Sequence, residues 1–257
     1  MKLFVVADIH GFFNEMKAAL DAQGFDPTNP HHYLILCGDL LDRGPQPEEC
    51  LDYVLSLPRA IFIRGNHEDL MEDAIRRGYF LNHDETNGTA ATAKMLTNAT
   101  DEIDVLIRMK SHQKYNAYIR RCVNYFQTPH YVFVHGWIPC FTRKKMSMYR
   151  DQVAYIPMED DWHMAGKRLW EAARWYNGMD AWGWGIKVPD HTVVCGHWHT
   201  SWGHHYIHHT SEEWPQSNKE ADFSPFIDDG IIALDACTAF THKVNCIVLE
   251  DSIYGMY

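Results

Sequence analysis

The sequence lacks long apolar runs. No stretch approaches the ~20 apolar residues of a membrane-spanning helix. The opening run, Leu3–Ala7, is shorter than the hydrophobic region of a secretory signal peptide. We therefore expect a cytoplasmic protein without a membrane partner.

Positively charged residues are also scarce. The chain has 23 Lys and Arg residues against 34 Asp and Glu residues, which gives a formal net charge of −11 at pH 7. A nucleic-acid-binding surface is normally basic, since it releases counterions from the phosphate backbone. A nucleic-acid partner is therefore not expected. A small anionic substrate stays compatible with this charge, because two divalent cations would offset about four negative charges locally.

The seven cysteines form an odd set without a CxxC pair. Several lie in apolar runs, where a small buried thiol is the simplest interpretation. Disulfides and thiolate ligation of a metal are the alternatives. We expect buried, reduced thiols in a reducing compartment.

What the sequence does contain is an alternation of strand and helix signals. With 257 residues, of which 46% are hydrophobic, it can bury the core of one large domain covering residues 1–257. Apolar, β-branched runs predict strands at Lys2–Ala7, Tyr33–Cys37, Ala60–Ile63, Tyr131–Val134, Thr192–Cys195, Ile231–Leu234 and Cys246–Leu249. Helical patterns lie at Phe13–Ala22, Pro47–Leu57 and Glu68–Arg77. The chain therefore begins β-α-β-α-β, which predicts an α/β fold.

Two segments interrupt this alternation. Residues from about 78 to 128 are helical and polar, with Ile103, Leu106 and Ile107 spaced as one apolar face. Residues from about 140 to 190 are rich in Trp, Tyr and Met and carry few strand signals. We expect both to be insertions that form walls around a site.

Five predicted strands are followed by polar clusters. These are Asp8-Ile9-His10-Gly11, Gly38-Asp39-Leu40-Leu41-Asp42-Arg43-Gly44, Gly65-Asn66-His67-Glu68, His135-Gly136 and Gly196-His197-Trp198-His199. One cluster alone fits a helix cap or a loop. Five together predict a metal site, because ligand sites form at the carboxyl ends of strands in α/β sheets. Oxygen and imidazole donors suit Mn, Fe, Zn or Mg, and a shared carboxylate sets two ions about 3.5–4 Å apart.

The order DxH, GDxxDRG, RGNHE, HG and GHxH resembles the calcineurin-like metallophosphoesterases. GDLLDRG and RGNHE are similar to the phosphoprotein phosphatase branch, which includes protein Ser/Thr phosphatases and symmetrical dinucleoside tetraphosphatases. The motifs run from Asp8 to His199, about three quarters of the chain. The resemblance implies a layered αββα sandwich that hydrolyses phosphoric esters.

The resemblance also implies the ligands of two divalent metal ions, with Mn expected first. It places Asp8, His10 and Asp39 at one ion, and Asp39, Asn66, His135 and His197 at the other, so that Asp39 bridges them. His199 matches the second histidine of GHxH. That histidine binds the first ion in the wider superfamily and is commonly absent from the phosphoprotein phosphatase branch.

Three more residues would serve catalysis. A hydroxide held between two divalent ions is nucleophilic near neutral pH and can attack phosphorus in line. His67 is the candidate general acid for the leaving alkoxide, and Asp42 would accept a hydrogen bond from its other ring nitrogen. Arg43 would bind the phosphate as a planar donor fork.

The expected substrate is a phosphomonoester, with phosphoserine or phosphothreonine in a protein as the first candidate. Symmetrical cleavage of a dinucleoside polyphosphate is the alternative, because it would use the same metal site. A non-catalytic binding module on this fold ranks lower, since all expected ligand positions are filled. A nuclease is disfavoured by the acidic composition.

Other residues keep two interpretations each. Arg64 either binds phosphate or forms a structural ion pair, which we expect first, with Glu68 as the candidate partner. Arg174 either binds phosphate or is structural. Asp235 is expected to be structural or to support a ligand. A second histidine cluster is expected to be exposed or stacked rather than a second metal site: His204, His205, His208 and His209. The tryptophans of the second insertion are expected to belong to the core rather than to a substrate platform.

Overall fold

The computed structural model describes residues 1–145, 152–158, 161–217 and 219–253. Its strands are β1 Lys2–Val6, β2 His32–Cys37, β3 Ala60–Ile63, β4 Cys122–Val123, β5 Phe126–Gln127, β6 Tyr131–Phe133, β7 Phe141–Lys145, β8 Gln152–Ile156, β9 Thr192–Cys195, β10 Phe226–Asp228, β11 Ile231–Ala233 and β12 Cys246–Glu250. Its α-helices are α1 Phe13–Ala22, α2 Pro47–Ser56, α3 Asn66–Arg77, α4 Asn82–Thr86, α5 Thr89–Thr97, α6 Glu102–Lys110, α7 Gln113–Arg121, α8 Lys167–Ala173, α9 Gly178–Gly183, α10 Ser201–Tyr206 and α11 Thr238–Thr241.

The strands form two five-stranded mixed sheets and one hairpin. The first sheet has the order β12-β1-β2-β3-β4 and the second has the order β10-β11-β9-β6-β5, while β7 pairs with β8. In the first sheet, β1 to β4 run parallel and β12 is antiparallel to β1. In the second, β6, β9 and β11 run parallel. The carboxyl ends of the central strands in each sheet therefore lie along one edge of that sheet.

Three apolar layers hold the sheets and helices together. Successive side chains of β1 point to opposite faces, so Leu3 and Val5 pack between the two sheets against Phe133 and Val194 of the second sheet. The neighbouring Phe4 and Val6 instead face the helices outside the first sheet, where α1 contributes Met16 and Leu20 from one side. The outer face of the second sheet is covered by α8 and α9, with Trp170 and Met179 in its core. This arrangement confirms the expected αββα sandwich.

The predicted β-α-β-α-β beginning is confirmed, and element ends shift by at most two residues. The first insertion contains α4 to α7, as its helical pattern indicates. The apolar face predicted for α6 is confirmed at Leu106, which is buried, and wrong at Ile103 and Ile107, which are both 64% exposed. The buried face is Val105, Leu106 and Met109. Both sets have helical spacing, and packing of α6 against α3 and α5 selects the second.

The second insertion differs from the expectation of few strands, since the β7–β8 hairpin lies within it. Each of the seven cysteines is free, as expected, and five of them are buried. Within the part of the chain that the structure describes, every helix is too short or too polar to cross a lipid bilayer.

Candidate metal centre

The candidate ligands sit just past strand ends. Asp8 lies two residues after β1, Asp39 two residues after β2, His135 two residues after β6 and His197 two residues after β9. Asn66 follows β3 and opens α3. Because the two sheets pack face to face, their strand ends bring these side chains together.

The backbone is strained where these side chains converge. Six candidate residues have φ between 51° and 72°, in the left-handed region: Asp8, His10, Asp39, Asp42, Arg43 and His197. Each such residue costs on the order of 1–3 kcal/mol, and such residues cluster at functional sites. The structure therefore stores strain in the loops that carry the candidate site.

Glycines let these loops approach closely. A Cβ atom on Gly38 would clash with His135, one on Gly65 with Asp39, and one on Gly196 with Asp8. The absence of a side chain at Gly38, Gly65 and Gly196 thus allows backbone and ligand side chains to pack against each other.

Asp39 lies at the centre of the cluster. Its Oδ2 atom is 3.4 Å from His135 Nε2, 3.8 Å from His10 Nε2 and 3.9 Å from His67 Nε2. This carboxylate belongs to two groups of candidate ligands. The first group is His10, Asp39 and His67, and the second is Asp39, His135 and His197. Within each group, the candidate ligand atoms all lie within 4.8 Å of one another. One carboxylate therefore belongs to two adjacent sets of metal-binding groups.

On one side of Asp39, an amide oxygen meets two imidazoles. Asn66 Oδ1 is 2.8 Å from His135 Nε2 and 3.0 Å from His197 Nδ1. His135 Nδ1 donates to the carbonyl oxygen of Cys37 at 2.8 Å. If Nδ1 carries the only ring proton, His135 Nε2 and Asn66 Oδ1 face each other as two acceptors. Either a second proton on His135 or a cation between the atoms relieves this repulsion, so the donor set fits a metal ion.

On the other side of Asp39, Arg43 spans two imidazoles. His10 Nδ1 donates to the carbonyl oxygen of Leu41 at 3.1 Å, which leaves the lone pair on Nε2. Arg43 Nη1 donates to His10 Nε2 at 3.0 Å, and Arg43 Nη2 lies 3.1 Å from His67 Nε2, which accepts from it only when that nitrogen carries no proton. The guanidinium therefore lies against the first ligand group, where an anionic ester can meet it.

The electrostatics of the cluster suit a bound cation. Burial raises the pKa of Asp39, but His135, His67 and His10 outweigh it and hold that pKa well below its usual value. Burial, followed by the repulsion of His67, lowers the pKa of His10 well below its ordinary value. Burial and the charge of His135 lower the pKa of His197 to about 3. Burial lowers the pKa of His135, but Asp39 outweighs it and raises that pKa to about 10. At pH 7 Asp39 is therefore ionised and His10 and His197 are neutral, whereas His135 carries a proton that a bound metal ion would displace.

His67 uses its other ring nitrogen, Nδ1, to pair with Asp42. His67 Nδ1 is 2.8 Å from Asp42 Oδ2, and both side chains are buried. Burial lowers the pKa of His67, but Asp39 and Asp42 outweigh it and raise that pKa above its ordinary value. The ring is thus oriented with Nε2 toward Asp39.

Asp8 and His199 are predicted ligands that, like Asn66, lie outside the two groups of three. The carboxylate of Asp8 accepts the backbone N–H of His197, at 2.9 and 3.0 Å from its two oxygens. Burial and the neighbouring Asp235 raise the pKa of Asp8 well above its usual value, an effect that a bound cation would reverse. His199 instead places Nδ1 2.8 Å from Ser201 Oγ and Nε2 3.6 Å from Glu213 Oε1. The ligand roles of Asp8 and His199 stay predictions, as do those of the other five predicted ligands.

The two remaining arginines form ion pairs. Arg64 pairs with Asp69 at 2.6 Å and with Glu72, so the expected partner Glu68 is wrong, although the ion pair itself is confirmed. Arg174 donates to Asp69 Oδ2 and to Asn124 Oδ1, both at 2.6 Å. Asp69 therefore pairs with both arginines. Nη1 and Nη2 of Arg174 both donate to protein side chains, which favours the structural interpretation of this arginine.

Glu68 is a buried residue whose role the sequence did not reveal. Its Oε2 accepts the backbone N–H groups of Asp39 at 3.1 Å and Gly65 at 2.7 Å. Its Oε1 accepts the N–H of Leu40 and the hydroxyl of Tyr118, both at 3.1 Å. The signal available was its place directly after His67 in the RGNHE motif.

The other candidates make contacts with protein. Asp235 accepts the backbone N–H of Cys237 at 2.7 Å, and burial raises its pKa to about 6. In the second histidine cluster, His204 bonds the carbonyl of Ser224, and His208 lies 3.0 Å from a carboxylate oxygen of Asp228. Trp170 is buried, as expected of a core tryptophan. Against that expectation, Trp175 and Trp184 are 48% and 41% exposed.

A family model described as calcineurin-like phosphoesterase matches residues 1–213. The chain belongs to this family. Its members are metal-dependent phosphoric ester hydrolases, so the resemblance seen in the motifs is confirmed.

Curated relatives match part of the chain. A stretch of 69 residues is 39% identical to "Bis(5'-nucleosyl)-tetraphosphatase, symmetrical" of Aromatoleum aromaticum, covering 26% of this chain and 24% of that protein. A stretch of 94 residues is 38% identical to the protein of the same name from Hamiltonella defensa, covering 36% and 33%. The matches span about a quarter to a third of the length of these relatives.

Among solved structures, the cold-active protein-tyrosine phosphatase of a psychrophilic Shewanella species is similar over 97% of this chain and 75% of that chain. The TM-score is 0.54 and the sequence identity is 15%. At this identity the likeness shows the fold alone.

Proposed function

We propose that this protein hydrolyses phosphoric esters at a dinuclear metal centre bridged by Asp39. The observation that carries the proposal is the position of Asp39 Oδ2, 3.4–3.9 Å from the Nε2 atoms of His10, His67 and His135. A carboxylate that belongs to two ligand groups at once is the arrangement that a pair of divalent ions requires.

The ligand assignment follows the sequence motifs and departs from the two geometric groups, because it replaces His67 by Asp8 and adds Asn66. His10 and Asp8 would hold one ion with Asp39, and Asn66, His135 and His197 would hold the other with Asp39. We propose Mn for both positions, with Fe, Zn and Mg as ions that accept the same donors. The bound ions supply a nucleophile at neutral pH and neutralise charge on the phosphoryl oxygens.

The remaining side chains bind the ester and move one proton. Arg43 binds the phosphoryl oxygens with the two nitrogens that contact His10 and His67, which leaves His67 Nε2 free to carry a proton. His67 gives the proton on Nε2 to the leaving oxygen, so the alcohol departs neutral and the imidazole takes a new proton from water. Asp42 holds the Nδ1 proton of His67 throughout and keeps Nε2 directed at the ester.

A panel assay tests this proposal. Purified protein loaded with Mn is expected to hydrolyse p-nitrophenyl phosphate, and to lose that activity with a chelator and regain it with Mn. Failure to hydrolyse p-nitrophenyl phosphate, phosphopeptides and dinucleoside polyphosphates with any of the four ions would contradict the proposal.

A nucleotide is the second candidate for the substrate, beside the phosphoprotein. It is supported by the similarity of part of the chain to symmetrical bis(5'-nucleosyl)-tetraphosphatases and by exposed aromatic rings beside the candidate metal centre. Trp175 is 48% exposed and lies edge-on to His197, with 5.8 Å between ring centroids. Trp198 is 36% exposed and 6.0 Å from the same ring.

These rings continue outward from the centre. His199 stacks at 6.1 Å on Trp198 and lies 4.6 Å from Trp214, which is 43% exposed. Exposed aromatic faces bind nucleobases by stacking, which contributes about 1–3 kcal/mol per base. Release of ADP from diadenosine tetraphosphate far faster than phosphate from phosphopeptides would select the nucleotide. The reverse order would select the phosphoprotein.

A further inference from the structure

The start of α5, in the first insertion, packs directly on the loop that carries Asp42 and Arg43. Gly88, the residue before the helix, has φ of 88°, and a Cβ atom there would lie 2.6 Å from the backbone nitrogen of Arg43. Thr89 is the first residue of α5 and is 0% exposed. The insertion therefore reaches the catalytic loop through a buried threonine.

The hydroxyl of Thr89 bonds the carboxylate that holds His67. Thr89 Oγ1 donates to Asp42 Oδ2 at 2.6 Å, and the same oxygen is 2.8 Å from His67 Nδ1. The other oxygen, Asp42 Oδ1, is buried and has no hydrogen-bond partner among the described residues. The two bonds to Oδ2 are thus the side-chain contacts that fix the plane of this carboxylate.

We infer that Thr89 is a positioning residue for proton transfer by His67. Without its hydroxyl, the Asp42 carboxylate is free to turn about its last bond, and either oxygen can face the imidazole. The direction of His67 Nε2 then spreads over a wider range, and the proton meets the leaving oxygen in good geometry less often. This inference rests on the proposed role of His67 as general acid.

Leaving-group dependence separates this role from general support of the fold. A general acid matters most when the leaving oxygen is a strong base, so phenyl phosphate depends on it more than p-nitrophenyl phosphate does. A structural defect lowers turnover of both esters by the same factor. The ratio of the two rates therefore reports on proton transfer alone.

The test variant is Thr89→Val, which removes the hydroxyl and keeps the branched shape. The matched control is Thr92→Val on the same helix, because Thr92 is also 0% exposed and its Oγ1 has no hydrogen-bond partner among the described residues. We expect Thr89→Val to lower kcat for phenyl phosphate about tenfold more than for p-nitrophenyl phosphate, with bound metal unchanged. Thr92→Val should leave the ratio of the two rates at the wild-type value.

Thr89→Ser, which keeps the hydroxyl, should restore the wild-type ratio. If Thr89→Val does not fold, comparison of Thr89→Ala with Thr89→Ser isolates the hydroxyl in the same way. Equal loss for both esters, or the same change of ratio in Thr92→Val, would overturn the inference. Wild-type protein inactive on both esters would instead contradict the proposed function itself.

Discussion

The carboxylate of Glu68 accepts the backbone N–H of Asp39 at 3.1 Å, so a residue on α3 holds the loop that presents the central carboxylate. Three backbone N–H groups and the Tyr118 hydroxyl all donate to Glu68, which is 2% exposed. An ionised carboxylate can accept all four bonds, whereas an amide must turn its NH₂ group toward some of these donors.

Glu68→Gln should therefore destabilise the protein by about 2–4 kcal/mol and weaken metal binding. Urea unfolding measures the first effect, and titration calorimetry with Mn measures the second. The control is Glu72→Gln on the same helix, where the side chain is 44% exposed. If the two substitutions change stability and Mn binding equally, the contact between Glu68 and Asp39 does not stabilise the metal centre as we expect.

Gly65→Ala should damage the metal centre through backbone crowding. The added Cβ would lie 2.6 Å from the backbone nitrogen of Asp39, so the GDxxDRG loop must shift. We expect a loss of about 1–3 kcal/mol in stability and loss of one bound ion per chain. Elemental analysis counts the ions. Gly183→Ala is the control, because a Cβ there meets nothing within 4 Å, and loss of metal from it as well would refute the crowding argument.

Arg43 and Arg174 should respond differently to replacement by lysine. Arg43→Lys loses a planar fork aimed at the ester, so KM should rise roughly tenfold with little change in stability. Arg174→Lys keeps the positive charge but loses the donor fork that joins Asp69 and Asn124 in a part-buried contact. We expect it to cost about 1–3 kcal/mol of stability with KM near the wild-type value. A large rise of KM in Arg174→Lys, at unchanged stability, would make it a phosphate-binding residue instead.

Asp251 ties the end of β12 to the turn before β6. Its carboxylate accepts the backbone N–H and the ring Nδ1 of His130, both at 3.0 Å. Burial raises the pKa of Asp251, but these bonds outweigh it and hold that pKa below its usual value. A carboxylate with a lowered folded pKa stabilises the fold above its unfolded pKa of about 4, and that contribution is lost as the pH falls through the folded pKa.

Asp251→Asn should therefore lower Tm at pH 7 by about 2–6 °C, and its difference from wild type should shrink as the pH falls to 3. Circular dichroism at stepped pH values records both melting curves. Asp73→Asn, which changes a half-exposed carboxylate, serves as the control and should show a small difference at every pH. A difference for Asp251→Asn that does not vary with pH would contradict the expectation.

The sequence was sufficient to predict those features that depend on short segments of the chain. Buried parallel strands are continuous apolar runs, and the polar residues just past their ends, such as Asp39 and His135, must meet at the sheet edges. The αββα fold and the convergence of five of the seven predicted ligands on Asp39, counting Asp39 itself, follow from these local signals.

The sequence could not predict features that depend on tertiary packing. Such packing decides which of two apolar faces of a helix is buried, and it brings together residues that are far apart in the chain. Ile103 and Ile107 have the spacing of a buried face and are exposed, because the neighbouring helices meet α6 on its Val105 side. The contact between Thr89 and Asp42 spans 47 positions and has no local signature. His199 follows the motif pattern, yet its ring contacts Ser201 and Trp214 rather than the central carboxylate.

The bridge at Asp39 is tested most directly by electron paramagnetic resonance of the Mn-loaded protein, together with a count of bound Mn. We expect two Mn per chain with the spectrum of a spin-coupled pair in the wild type, and loss of that coupling in Asp39→Asn. His67→Asn should retain both ions and the coupled spectrum while turnover falls. A single Mn per chain, or the spectrum of isolated ions at full loading of the wild type, would contradict a shared carboxylate.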